Sequence, residues 1–248
     1  MKNKFINSSL IVNLYRDKSL KSSLDTQLIY GENFEIIKKY LRWKKIKISN
    51  DGYVGFIKNN KFYKPIKPNF KVTKLKAQLF LRPNKRCGIK KFLTYGSKIK
   101  IIEKLGQFSR FKNYWIKNSN IKTIDFKSKD IFKNIKIFKG VKYLWGGKSY
   151  KGVDCSALVQ LLMNFNNNYC PRDSKDQEKY FKNKIKIKNI KKNDLLFWKG
   201  HVAIALSKKK LIHAYGPMKS VVIMDIKKTV DRIYKTANLR ITSIRRPS

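Results

Sequence analysis

Short apolar stretches separated by turn residues fill the first half of the chain. LIYGENFEIIKKY, RWKKIKIS and YVGFIK follow one another, with Asn50-Asp51-Gly52 between the last two. Asp-Gly between two such stretches predicts a hairpin, because glycine tolerates the positive φ that a tight turn needs. The pattern then repeats. Leu14-Tyr15, Tyr30-Gly31 and Ile36-Ile37 reappear 65 residues later as Leu79-Phe80, Tyr95-Gly96 and Ile101-Ile102. Gly55-Phe56-Ile57 then corresponds to Tyr114-Trp115-Ile116 after a shorter loop. Short strands at this spacing predict a small all-β barrel in each copy, and Pro65, Lys67 and Pro68 mark the junction. A single larger β-domain is the alternative, and the internal repeat weighs against it. Trp43, Tyr53, Tyr114 and Trp115 fit either a groove or a core, so no site is assigned to them.

After about residue 128 the period changes. In VDCSALVQLLMNF, Ala157, Leu158, Leu161, Leu162 and Phe165 share one helical face. Asp154 suits the N-cap of that helix, and Cys155 enters its first turn, where the positive end of the helix dipole favours a thiolate. Farther on, HVAIAL and LIHAYG alternate as strands across a polar turn around Ser207-Lys208-Lys209. They hold both histidines of the chain, His201 and His213, twelve residues apart. In an antiparallel hairpin that spacing brings the two rings close on one face.

This arrangement can do nucleophilic chemistry: Cys155 attacks, His201 takes its proton, and His213 fixes the tautomer and ring angle of His201. Each residue also has a plainer reading. A cysteine entering a helix is often an inert small hydrophobe, a strand histidine is often structural, and two histidines beside a cysteine could bind metal. Metal binding is the weaker option because so few acids are available, and no metal or cofactor is expected.

Composition adds a bias rather than a function. Fifty-nine Lys and Arg against 15 Asp and Glu give a formal net charge of +44. Such a field attracts polyanions, yet the bases are mostly lysine and spread along the chain instead of forming the blocks typical of nucleic-acid readers. Compositional drift is therefore favoured and no specific nucleic acid is expected. Cys87, Cys155 and Cys170 lack the number and spacing of a disulfide framework or zinc site. No apolar run reaches the ~20 residues of a membrane span, and the N-terminal patch is shorter than the about 7–15 apolar residues of a signal-peptide core. The expectation is a monomeric, cytoplasmic protein.

YLWGGKSYKGVDCSALVQ, PRDSKDQ, NDLLFWKGHVAIAL and LIHAYG, in that order, resemble the motif series of the NlpC family of papain-like cell-wall peptidases. The early "L-aromatic" strand, the Tyr-Gly before "EII" and the late "GFI/YWI" strand resemble bacterial SH3-like domains. The resemblance implies an α+β papain-like catalytic domain over residues 129–248, preceded by two small all-β SH3-like barrels over 1–66 and 67–128. It implies a cysteine peptidase with Cys155 as nucleophile, His201 as base and acid, His213 as orienting member and Tyr143 as an oxyanion donor. The subgroup it points to cleaves γ-D-glutamyl-diaminopimelate (or -lysine) bonds in peptidoglycan-derived peptides. There Asp154, Ser156 and Ser174 would hold the free amine of an N-terminal L-alanine.

Alternatives stay open at these positions. Asp154 could only cap its helix, Ser174 with Gln177 could form a capping box, Tyr143 could be packing, and Arg172 is expected to pair with Asp173 or a nearby carbonyl. Two residues depart from the family pattern, Ala157 and Asn193, both in place of glycine; asparagine tolerates left-handed backbone. Rival functions are a polyanion-binding protein on an inactive peptidase scaffold and an acyl transferase that intercepts the thioester with an amine.

Overall fold

In the computed structural model, residues 4–59 and 62–247 are described. The chain divides into two compact units, Met1–Lys127 with Gly146–Tyr150, and Ser128–Trp145 with Lys151–Ser248.

The first unit is built from short antiparallel strands. Residues 4–58 supply β1 (Lys4–Ile6), β2 (Ile11–Tyr15), β3 (Leu24–Ile29), β4 (Asn33–Lys39), β5 (Trp43–Ile48) and β6 (Val54–Lys58), in the sheet order β1-β4-β5-β6-β2-β3. The Asp-Gly hairpin joins β5 to β6, with Gly52 at φ +76°. Inward residues of these strands, Leu14, Leu28, Phe34, Ile46, Ile48 and Ile57, form one core. Residues 70–123 supply β7 (Phe70–Val72), β8 (Lys76–Phe80), β9 (Gly88–Thr94), β10 (Lys98–Ile99), β11 (Glu103–Leu105), β12 (Phe108–Phe111), β13 (Tyr114–Lys117) and β14 (Ile121–Thr123). They form the sheets β10-β7-β14 and β11-β12-β13-β8-β9 around Val72, Leu79, Leu93, Ile99, Phe111 and Ile116.

The repeat seen in the sequence reappears in the pairing. Tyr15 faces Phe56 across β2 and β6, and Phe80 faces Trp115 across β8 and β13. A register shift falls at Leu14/Tyr15 against β3 and at Gln78/Leu79 against β9. Gly31 and Gly96 both take positive φ, +85° and +80°. At Gly31 the requirement is double. Its amide donates to Asn7 O at 2.8 Å, and an added Cβ would lie 2.0 Å from the Lys98 carbonyl oxygen. Gly31→Ala should therefore combine left-handed strain with a backbone clash and cost about 2 kcal/mol or more. A chemical-denaturation midpoint unchanged by that substitution would contradict this.

Segment 146–150 carries β15 (Lys148–Ser149) and a charge that no sequence pattern marked. Lys148, 1 % exposed, sets its Nζ 2.8 Å from Glu32 Oε1, and its amide donates to Gln27 Oε1 at 2.8 Å. A buried lysine persists as a cation only with such a partner.

The second unit contains β16 (Gly152–Val153), α1 (Cys155–Phe165), α2 (Ser174–Tyr180), β17 (Leu195–Trp198), β18 (His201–Ala205), β19 (Lys210–Tyr215), β20 (Ser220–Asp225), α3 (Ile226–Ala237) and β21 (Ser243–Arg245). Its sheet runs β20-β19-β18-β17-β21, entirely antiparallel. Leu196, Trp198, Ala203, Ala205, Leu211 and Tyr215 pack with Ile226 and Ile233 of α3. Their alternates, among them Phe197, Val202, Ile204 and Ile212, are equally buried, and α1 packs against β18 and β19. Asn193 takes φ +75° just before β17, as its residue type allows. Among the described residues no helix is long and apolar enough to cross a membrane.

Candidate active site

Helix α1 is buried along nearly its whole length, so its first turn needs internal partners for its amides. Asp154 supplies one as N-cap, its Oδ1 accepting from the Ala157 amide at 2.8 Å. Cys155 is the next residue, 7 % exposed, and its sulfur lies within reach of the Val202 and Ser156 amides. Val202 follows His201 on β18, so the thiol sits against the start of that strand.

The hairpin holds the two histidines together. His201 Nε2 lies 2.8 Å from His213 Nδ1, and His213 is fully buried. Tyr215 stacks on His213, centroids 4.6 Å apart at 10°, and Trp198 lies 5.7 Å from the His201 ring. The outer nitrogen of His213, Nε2, meets Met224 Sδ at 3.4 Å. Sequence reasoning passed over Met224, since methionine on a strand reads as core.

Burial sets the resting protonation. It pushes the Cys155 thiol up to about 12, helped by the charge of Asp154. It lowers His201 to about 4 and His213 to about 3, the latter also through His201. The resting pair is a neutral thiol and a neutral imidazole, so a nucleophilic role for the sulfur would require thiolate to form as attack proceeds. Tyr143 is half-buried and close enough for Cys155 and Asp154 to join burial in raising its phenol to about 12. It therefore keeps a proton to donate.

The structure adds to one expectation and corrects another. Arg172 takes Asp154 as its ion-pair partner, a residue the sequence did not suggest for it. Its Nη2 binds Asp154 Oδ2 at 2.6 Å, and Nη1 binds Asp154 Oδ1 at 3.0 Å and Ser156 Oγ at 2.9 Å. A buried carboxylate draws the fork-shaped guanidinium because both oxygens can be met at once. The Ser174–Gln177 capping box, by contrast, does not form. Asp173 holds the N-cap position and Ser174 is the first helical residue. Gln177 instead turns inward, its Nε2 donating to Ser156 O and Pro171 O at 2.9 Å each. Ser174 is buried at the start of α2.

Residues 140–240 match the model of the NlpC/P60 family, and residues 14–62 match that of the bacterial dipeptidyl-peptidase Sh3 domain. The chain carries an NlpC/P60 domain. Among relatives, the chain is 26 % identical over 232 residues to a gamma-D-glutamyl-L-lysine dipeptidyl-peptidase of Bacillus subtilis, covering 84 % of this chain and 77 % of that protein. It is 40 % identical over 72 residues to dipeptidyl-peptidase 6 of Lysinibacillus sphaericus, covering 29 % of this chain and 27 % of that one. A crystal structure of an NlpC/P60 family protein from Bacillus cereus superposes with a TM-score of 0.81 at 18 % identity, covering 98 % of this chain and 99 % of the other. The last likeness concerns the fold alone. Carrying an NlpC/P60 domain, the protein is a cysteine peptidase, a hydrolase.

Proposed function

We propose that this protein hydrolyses the γ-D-glutamyl–diamino acid bond of peptidoglycan-derived peptides that carry a free N-terminal L-alanine, releasing the N-terminal dipeptide. The observation that carries the reading is the 2.8 Å contact between His201 Nε2 and His213 Nδ1, with Cys155 at the helix start against the same strand. The name of the Bacillus subtilis relative, a gamma-D-glutamyl-L-lysine dipeptidyl-peptidase, supports the same bond class.

In this mechanism Cys155 Sγ attacks the γ-carbonyl while His201 takes the thiol proton. The oxyanion is met by the first-turn amide of Cys155 and the Tyr143 hydroxyl. His201 then gives its proton to the departing amine, leaving a thioester. Water, deprotonated by His201, cleaves the thioester to a free γ-carboxylate and restores the thiol. The substrate's carboxylates suit a chain of net charge +44.

Asp154, Ser156 and Ser174 would receive the substrate's ammonium. Asp154 already serves Ala157 and Arg172, so in this proposal it is shared, and the guanidinium beside it moderates its pull on the amine. We further propose the domain limits 1–66, 67–128 and 129–248, with the second β-segment as another SH3-like domain. The equivalent ladder pairs Tyr15–Phe56 and Phe80–Trp115 support this division.

Mass spectrometry of peptide digests tests the substrate. L-Ala-γ-D-Glu-diaminopimelate and its lysine counterpart should be cut after the second residue, and N-acetylation should lower kcat/KM by about 100-fold through loss of a charge-assisted contact. Equal cutting of the acetylated peptide would remove the ammonium cradle. Absence of any cut with intact protein would remove the bond assignment.

A further inference from the structure

We infer that the Met224 thioether is a positioning residue for the histidine pair, selecting the one tautomer in which His201 can act as a base. At 2.8 Å, His201 Nε2 and His213 Nδ1 share one hydrogen, and with both rings neutral there are two ways to place it. In the first, His201 carries it on Nε2 and donates to His213, which keeps Nδ1 bare and its own hydrogen on Nε2. His201 Nδ1 is then an open lone pair, able to take a thiol proton. In the second, His213 donates from Nδ1, and His201 must carry its hydrogen on Nδ1. That form cannot accept the thiol proton there.

The His201–His213 contact alone does not choose between them, because each ring can donate or accept. The choice falls to whatever faces the far nitrogen of His213. That atom, Nε2, lies 3.4 Å from Met224 Sδ. A thioether sulfur accepts weakly and never donates. It welcomes the Nε2–H of the first tautomer, whereas in the second a bare nitrogen lone pair would face the sulfur's own lone pairs. His213 is fully buried, so water does not level the difference, and the partner of one ring nitrogen governs the proton on the other.

The position is built by the strand pairing. Leu211 opposes Met224 and His213 opposes Val222 in the β19–β20 ladder. Met224 and His213 are thus diagonal neighbours on one face of the sheet. Tyr215, stacked 4.6 Å from the His213 ring, holds the plane in which Nε2 points at the sulfur. The depressed proton affinities of both histidines agree with a neutral pair in which tautomer, not charge, is the variable.

This inference rests on His201 acting as the base. Met224→Leu, close in volume and without an acceptor, tests it. Long-range ¹H–¹⁵N spectra of substrate-free protein should show His213 as a single Nε2–H tautomer in the native chain and as a mixture in the variant. The variant's kcat should fall about 5–20-fold at unchanged KM, the scale of one lost buried hydrogen bond. An unchanged His213 tautomer overturns the inference even if the rate falls, because packing would then account for the loss. A shifted tautomer with unchanged kcat overturns its catalytic part. Because the spectra need no substrate, their result stands apart from whether His201 is the base, which His201→Ala decides.

Discussion

Cys155→Ala should abolish hydrolysis, lowering kcat by at least about 10⁴-fold, and His201→Ala should lower it by about 10³-fold or more. The asymmetry follows from chemistry. Without the sulfur no thioester can form, whereas without the imidazole a thiol remains that water can deprotonate inefficiently. The pH profile sharpens the test. In the proposed mechanism His201 is the base, a role an imidazole fills only when neutral, and burial lowers its proton affinity to about 4, below the ordinary imidazole value of about 6.5. The neutral form therefore persists as pH falls through 6.5, and the acid limb of kcat/KM should lie well below it, approaching 4. No alkaline limb should come from the thiol, which burial keeps protonated to about 12. Stopped-point assays of dipeptide release between pH 4 and 9 read both features. An acid limb near 6.5 would mean that water reaches the histidine pair and that the resting state is not the dry neutral one described above.

Much of this site could be read from the chain because its parts are local. Asp154 caps α1 as its residue type predicts, the histidines come together because an even spacing across a short turn puts them on one face, and Asn193 accepts the left-handed backbone that glycine would otherwise supply. The repeat in the β-rich half was legible through Leu14/Leu79 and Gly31/Gly96, which recur as buried strand residues and positive-φ turns. What escaped is non-local. Arg172 reaches Asp154 across 18 residues, Lys148 reaches Glu32 across 116, and neither link leaves a period or turn signal. Ser174–Gln177 failed in the opposite sense: the local motif is present, but two buried carbonyls compete for the Gln177 amide and win. Local rules describe backbone groups near water, and they yield when a polar side chain is enclosed.

Arg172→Met should cost about 3–5 kcal/mol of stability. The side chains of Arg172 and Asp154 are 2 % and 10 % exposed, so removing the guanidinium leaves a carboxylate enclosed with no cation in place of its 2.6 Å partner. The Ala157 amide and Ser156 hydroxyl still meet Oδ1, which keeps the loss from being larger. Adding Asp154→Asn should return about half of it, because a neutral amide oxygen can go on capping Ala157 without a buried charge; urea denaturation of the two single variants and the double variant measures that coupling. The same substitution also bears on catalysis. Arg172 now opposes the upward push of Asp154 on the Cys155 thiol, so its removal should slow thiolate formation and lower kcat. If Asp154 also grips the substrate's ammonium, losing the competing guanidinium should at the same time lower KM for free-amine peptides and leave KM for acetylated ones unchanged. A kcat loss with equal KM changes for both peptides would assign Asp154 to capping and ion pairing alone.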